Sequence, residues 1–376
     1  MKELMEQIKT DLMDIFTHLH ENPEVSWKEF ETTKYLASFL EKQGAKVRTF
    51  SECTGVIADI GEGFPVVAVR ADIDALWQEV DGQFQANHSC GHDAHMTIAI
   101  GVLMTLKRLS SLPKGTIRFI FQPAEEKGDG ALTMVDKGVV DDVDYLYGVH
   151  LRPEMELSDG YASPAIIHGG ARFLKGTIQS DDAHGARPHL GKNAIEVGAS
   201  FVSMLNGIHL DPLVPYSVKM TSFHAGGESA NIIPGSATFS LDLRAQQNDT
   251  MEQLVTKVKD IAASLEKLYN TSIQLETAAN VAAAEVNREA QAFMERGIIE
   301  ALRNEKLHAP LVSTGGDDFH FYTIKRPHLK ATMLGLGCGL TPGLHHPKMT
   351  FNREAMLDAV HILTITVLET LKEGKK

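Results

Sequence analysis

The residues able to do chemistry fall into four short runs. Cys90-Gly91-His92-Asp93-Ala94-His95 places a thiol and two imidazoles close together. Glu125-Glu126 follows a proline, His150 follows an aromatic stretch, and His345-His346 lies near the C-terminus. Thiolate, imidazole and carboxylate together form a borderline-soft donor set suited to zinc. If one glutamate of the pair binds metal, its neighbour is left to carry a proton. Such a cluster offers an activated water, a polarised carbonyl and a proton carrier, which are what amide hydrolysis near neutral pH requires.

Each run alone has a plainer reading. A lone cysteine is commonly a buried structural residue, and adjacent carboxylates suit a solvated helix start. His150 fits a satisfied core histidine, and His345-His346 fits an exposed loop. The runs are more telling together. With Asp72 and Asp74 upstream and Asp93 and His95 alongside, they gather too many ionisable groups for a core without compensating ions.

The elements that must position these residues follow from apolar periodicity. Val66 to Arg70 reads as a buried strand that delivers Asp72 and Asp74, and His95 to Leu109 as a helix. Thr116 to Gln122 is a strand that releases Glu125-Glu126, a helix runs from about Gly130 to Lys137, and Tyr145 to Val149 is a strand with His150 at its end. Strands alternating with helices predict an α/β domain with a mainly parallel sheet, and in such sheets sites gather at the carboxyl ends of strands. From about Arg172 the rhythm changes to strand, helix, strand, strand, helix, strand, ending near Glu276. That βαββαβ order predicts a ferredoxin-like unit over 171–277, inserted into a larger domain formed by 1–170 and 278–376. Helical patterns return at Arg288 to Arg303 and Arg353 to Leu371.

Composition narrows the function classes. The chain has 376 residues, 43% hydrophobic and 23% charged, a length that suggests roughly two to three domains with ample chain for a core. Lys+Arg 36 against Asp+Glu 49 gives a formal net charge of -13, which disfavours a nucleic-acid partner. The N-terminus carries Leu4, Ile8, Leu12, Ile15, Phe16 and Leu19 at helical spacing, unlike a signal peptide. No apolar run is long enough to span a bilayer. Cys53, Cys90 and Cys338 are too few and odd in number for a disulfide framework. A cytoplasmic location with no membrane partner is the resulting expectation.

At this point the chain resembles a known family, the metal-dependent amidohydrolases of aminoacylase, hippurate hydrolase and auxin-conjugate hydrolase type. The resemblance runs from His18-Leu19-His20-Glu21-Asn22-Pro23-Glu24 to Leu344-His345-His346-Pro347, nearly the whole chain. Between them lie Arg70-Ala71-Asp72-Ile73-Asp74-Ala75-Leu76, the run His88 to His95, and Gln122-Pro123-Ala124-Glu125-Glu126. His184-Gly185-Ala186-Arg187-Pro188-His189, Ala230-Asn231-Ile232-Ile233-Pro234 and Arg244 fall in the inserted unit. The resemblance implies a site for two divalent metals held by Cys90, His92, Glu126, His150 and His345, with Cys90 shared. Zinc is the first expectation, with manganese or cobalt as alternatives. It also implies that Glu125 is the general base and acid, and that Asp72 or Asp74 orients the ligand imidazoles. His184, Asn231 and Arg244 would bind the substrate, with His184 reaching it from the partner subunit of a homodimer formed through the inserted lid domain.

The expected reaction is hydrolysis of an N-acyl amino acid. The rivals are a dipeptidase or aminopeptidase on the same site, a thiol enzyme using Cys90, and a non-catalytic small-molecule binder. One departure bears on specificity: where the family usually has a proline after Asp-Ala-Leu, this chain has Trp77, and Gln78 to Ala86 also differs. The segment Ser313-Thr314-Gly315-Gly316-Asp317-Asp318-Phe319 resembles a family loop expected to brace the site.

Overall fold

The computed structural model describes residues 2–374, and these form two compact units. The first comprises residues 2–167, Glu285–Val312 and residues 318–374, and the second His168–Ala284 with Ser313–Asp317.

The first unit is built on a seven-stranded sheet. Its strands lie in the order Lys46–Thr49, Val56–Glu62, Gly115–Gln122, Val66–Asp72, Tyr145–Pro153, Lys330–Leu340 and Ala162–Ser163. The sheet is mixed rather than mainly parallel. Its four central strands are parallel, whereas the pairings at both edges are antiparallel. The two strands before Val66 and the strand Lys330–Leu340 are additions to the sequence expectation. Gly335, Gly337 and Gly339 interrupt that last strand's apolar pattern, and glycine disfavours strands.

Helix His92–Arg108 is buried along almost its whole length, and from Met96 to Leu106 it is apolar on nearly every face. It packs against the N-terminal helix Lys2–Glu21 and the C-terminal helix Ala355–Glu373. The contact with the latter is close enough that a β-carbon at Gly101 would lie 2.5 Å from Val360 Cγ2. Ile8, Leu12, Phe16 and Leu19 line the buried stripe of the N-terminal helix, as their spacing predicts.

The second unit carries an antiparallel four-stranded sheet in the order Tyr216–Ala225, Ser236–Ala245, Gly170–Gln179 and Ser272–Val281. Alternation along the second of these buries Ala237, Phe239, Leu241, Leu243 and Ala245 on one face. Helices Ala194–Leu205 and Asn248–Tyr269 cover that face and contribute Phe201, Leu254 and Val258 to a core of its own. Asn193 caps the first helix by accepting from the Ile195 N–H. No helix among the described residues is long and apolar enough to cross a membrane.

Candidate metal centre

The first unit brings eight of the singled-out residues to one place. Helix His92–Arg108 begins at His92 itself, three residues earlier than its apolar pattern predicts. Gly91 precedes it with φ +86, and a β-carbon there would meet Leu151. That left-handed turn, natural to glycine, aims Cys90 and His92 to the same side. His150 lies within its strand, which continues to Pro153, instead of ending it. Cys90 Sγ sits 3.6 Å from His150 Nε2.

The glutamate pair occupies a single turn of 3-10 helix, Glu125–Lys127. Ala124 ahead of it is left-handed at φ 52, an uncommon conformation for a residue with a side chain. Glu29 holds it there: the Ala124 N–H donates to Glu29 Oε1 at 2.9 Å, and the Thr54 hydroxyl donates to the other oxygen at 2.6 Å. Glu126 Oε1 lies 3.4 Å from His345 Nε2 and 4.0 Å from His92 Nε2, while Glu125 Oε2 lies 3.9 Å from His92 Nε2.

Hydrogen bonds set the imidazole tautomers. His92 Nδ1 faces the Asp74 carbonyl at 2.9 Å and the Asp74 carboxylate at 3.2 Å. Both partners only accept, so Nδ1 carries the proton and Nε2 turns toward the glutamates. His150 Nδ1 likewise donates to the Leu151 carbonyl at 2.8 Å. Asp74 also accepts from the Ser26 hydroxyl and the Glu126 N–H. Asp72 instead meets His95 Nδ1 at 2.7 Å, and His95 Nε2 accepts the Leu151 N–H next to His150.

The electrostatics ask for a cation. Burial opposes charge on His92, but Asp72, Cys90 and Asp74 outweigh it and hold the imidazole pKa well above its ordinary value. Burial pushes the Cys90 thiol well up, and Glu126 and Glu125 add to the rise against the pull of His92. Burial would also raise Asp72, yet His92, Arg70 and His95 bring it well below the usual carboxylate range. A field that retains a proton on His92 would also retain a metal cation, and a cation is what makes a buried thiolate affordable. Buried His92 Nε2 has no hydrogen-bond partner among the described residues, and Glu126 Oε1 makes no directed hydrogen bond. Two donor groups meet at one atom: Cys90 with His92 and His150, and Cys90 with Glu126 and His345. The residues present therefore fit a pair of metals sharing the cysteine.

Behind the donors lies a charged hub that includes Asp318 of the loop from Ser313 to Phe319. Fully buried Arg70 donates to Gln122 at 2.9 Å, to Asp72 at 2.6 Å and to Asp318 at 2.9 Å. Asp318 also accepts the Ala131 N–H just past the glutamate turn. Asp93, beside His92, accepts from His20 Nδ1 at 2.6 Å. An arginine inside an otherwise apolar strand was the available signal for the first; His20 stood in the run His18 to Glu24, which gave it no role of its own.

The second unit places its three candidates at two ends. Asn231 and His184 adjoin one another, since His184 pairs with Ile232 and the Gly185 N–H donates to the Asn231 carbonyl at 2.7 Å. Both side chains are exposed. Arg244 lies at the far end of strand Ser236–Ala245, eight residues and roughly 26 Å along it from Ser236. Its guanidinium makes a two-point pair with Asp242 at 2.8 and 3.2 Å and lies over Phe173.

Residues 68–369 match the family model described as peptidase family M20/M25/M40. This chain belongs to that family. An N-acetyl-L-cysteine deacetylase of Bacillus subtilis is 30% identical over 95% of this chain and 87% of its own length. An IAA-amino acid hydrolase of Arabidopsis thaliana, ILR1-like 6, is 34% identical over 65% of this chain and 53% of its own length. Among solved structures, the Bacillus subtilis YXEP protein, described as a dinuclear metal binding peptidase from the M20 family, superposes with a TM-score of 0.82. It is 26% identical and matches 99% of both chains. As a member of peptidase family M20/M25/M40, the protein is a metal-dependent hydrolase of amide bonds.

Proposed function

We propose that the protein hydrolyses N-acyl amino acids to a carboxylic acid and an amino acid. The single observation carrying this reading is the donor set converging on Cys90 with a second carboxylate, Glu125, 3.9 Å from His92. Cys90, His92, Glu126, His150 and His345 would hold two divalent metals, zinc first and manganese or cobalt as alternatives. Held there, such metals supply the acidification of a water and the polarisation of the amide carbonyl. Glu125 takes the proton from the attacking water and returns it to the leaving amine, one carboxylate serving in both directions. Asp74 keeps the His92 proton on Nδ1, so that Nε2 stays available as a donor.

In the second unit, His184 and Asn231 would contact the acyl carbonyl, and Arg244 would bind the amino-acid carboxylate in two-point fashion. To do so Arg244 must exchange Asp242 for the substrate. Arg244 lies at the end of its strand away from Ser236, whereas His184 pairs with Ile232 just before that strand begins. This separation along the strand favours a homodimer in which the lid of a second copy supplies His184.

The deciding test pairs one variant with one panel. Glu125→Gln is expected to keep full metal content and lose roughly 10²–10⁴-fold in turnover. A metal-replete Glu125→Gln protein with wild-type turnover would sink the assignment. Acetyl, benzoyl and indoleacetyl amino acids are then compared with dipeptides. Faster dipeptide cleavage would replace the acyl-amino-acid reading with a peptidase.

A further inference from the structure

The segment after Asp74 folds as a hairpin, Leu76–Val80 against Gln83–Asn87. Asp81 and Gly82 turn it with φ 50 and φ 84, the left-handed pair that two-residue hairpins favour. A lone two-stranded hairpin is marginal in water, and this one buries little: Trp77 and Phe84, on one face, are 63% and 64% exposed. Its other face carries Gln78 and Asn87, and that face is engaged. Gln78 Nε2 donates to the His345 carbonyl at 3.1 Å. Asn87 Nδ2 donates to the Pro347 carbonyl at 3.1 Å and to Gln78 Oε1 at 2.9 Å. At the hairpin tip, Lys348 pairs with Asp81 at 2.8 Å.

The loop so gripped is the one that needs it. His345 is left-handed at φ 64, and its N–H donates to the Ser89 carbonyl at 2.7 Å, next to Cys90. Its side chain is 55% exposed, against 12% for Glu126 and none for His92. Packing therefore fixes it least among these three candidate donors.

We propose that Gln78 and Asn87 are positioning residues: they latch the His345 loop to the hairpin and so set the metal affinity of the position formed by Cys90, Glu126 and His345. The inference rests on the metal reading above and deepens it. It assigns the departure after Leu76 a role in metal retention.

The test is a Co²⁺ titration of the full-length, metal-stripped protein, followed by calorimetry and by the thiolate absorption bands. The wild type is expected to take two equivalents. Gln78→Ala/Asn87→Ala, and the isosteric Asn87→Asp that removes the donors, are expected to keep one equivalent and weaken the other 10–100-fold. Phe84→Ala, on the opposite face of the hairpin, is expected to titrate like the wild type, which separates the latch from general damage to the hairpin. Wild-type isotherms for both latch variants overturn the latch. Two unaltered equivalents in His345→Ala overturn the metal assignment beneath it, so the two failures are told apart.

Discussion

Cys90 is where the thiol-enzyme and metal readings part, and its surroundings weigh against a nucleophile. A reactive thiol needs a lowered pKa and access, whereas burial raises this one well above its ordinary value. Burial pushes buried Cys338 up to about 12, and raises partly exposed Cys53 less. Brief iodoacetamide treatment near neutral pH is expected to label Cys53 alone and spare turnover, with mass spectrometry reading the sites. Inactivation tracking Cys90 labelling, together with indifference to chelators, would restore the thiol enzyme. A second residue-scale consequence concerns His20. Its hydrogen bond to Asp93 raises its pKa against burial and the charge of Arg353, with Glu21 adding slightly. A histidine raised in the folded state stabilises fully below its unfolded value of about 6.5 and loses that contribution as pH rises through the folded value. The melting-temperature gap between wild type and His20→Gln is therefore expected to be widest near about pH 6 and to shrink toward about pH 9. A gap that widens with pH would contradict the pairing.

At the scale of elements, the glutamate turn is held by its neighbours more than by its own three residues. Gly130 opens the helix after it, and a β-carbon there would overlap the carbonyl oxygen of Pro123 and approach Gln122 Nε2 at 2.9 Å. Gly130→Ala must therefore displace the strand end that delivers Glu125 and Glu126. A stability loss of about 1–3 kcal/mol is expected, as for other overpacked sites, with a fall in turnover beyond it. Thermal unfolding and kinetics on one preparation check both, and unchanged values would show that the turn yields freely. The same elements mark what could be read from sequence. Continuous apolar runs made strands Val66–Asp72 and Gly115–Gln122 legible, and the ionisable residues at their ends stood out against them. Strand Lys330–Leu340 was hidden by its glycines, and the hairpin by apolar residues that face solvent instead of a core. The Arg70–Asp318 pair joins positions 248 residues apart, so the runs that hold them could be read one by one but their pairing could not.

At the scale of the molecule, the second unit has what independent folding requires. It owns a core built from Phe201, Phe239, Leu241, Leu254 and Val258, distinct from the core beneath helix His92–Arg108. The ends of its main segment meet, since the Ala284 N–H donates to the His168 carbonyl at 2.9 Å. A segment whose ends meet and whose apolar face is already covered loses little when excised. Residues 168–284 alone are thus expected to unfold cooperatively on heating, followed by circular dichroism. The same segment tests the homodimer. Strand Tyr216–Ala225 is an edge of its sheet, and Ile195 and Val202, seven residues apart on helix Ala194–Leu205, are 48% and 40% exposed. An open edge beside an exposed apolar stripe favours association of two copies. Light scattering is expected to find twice the segment mass, and Ile195→Asp/Val202→Asp to halve it. In the full chain that variant would then lose turnover while keeping both metals, because each site would lack the His184 of a second copy. A wild-type segment and full chain that both run as monomers would remove the shared-histidine arrangement and leave Glu125 to act without it.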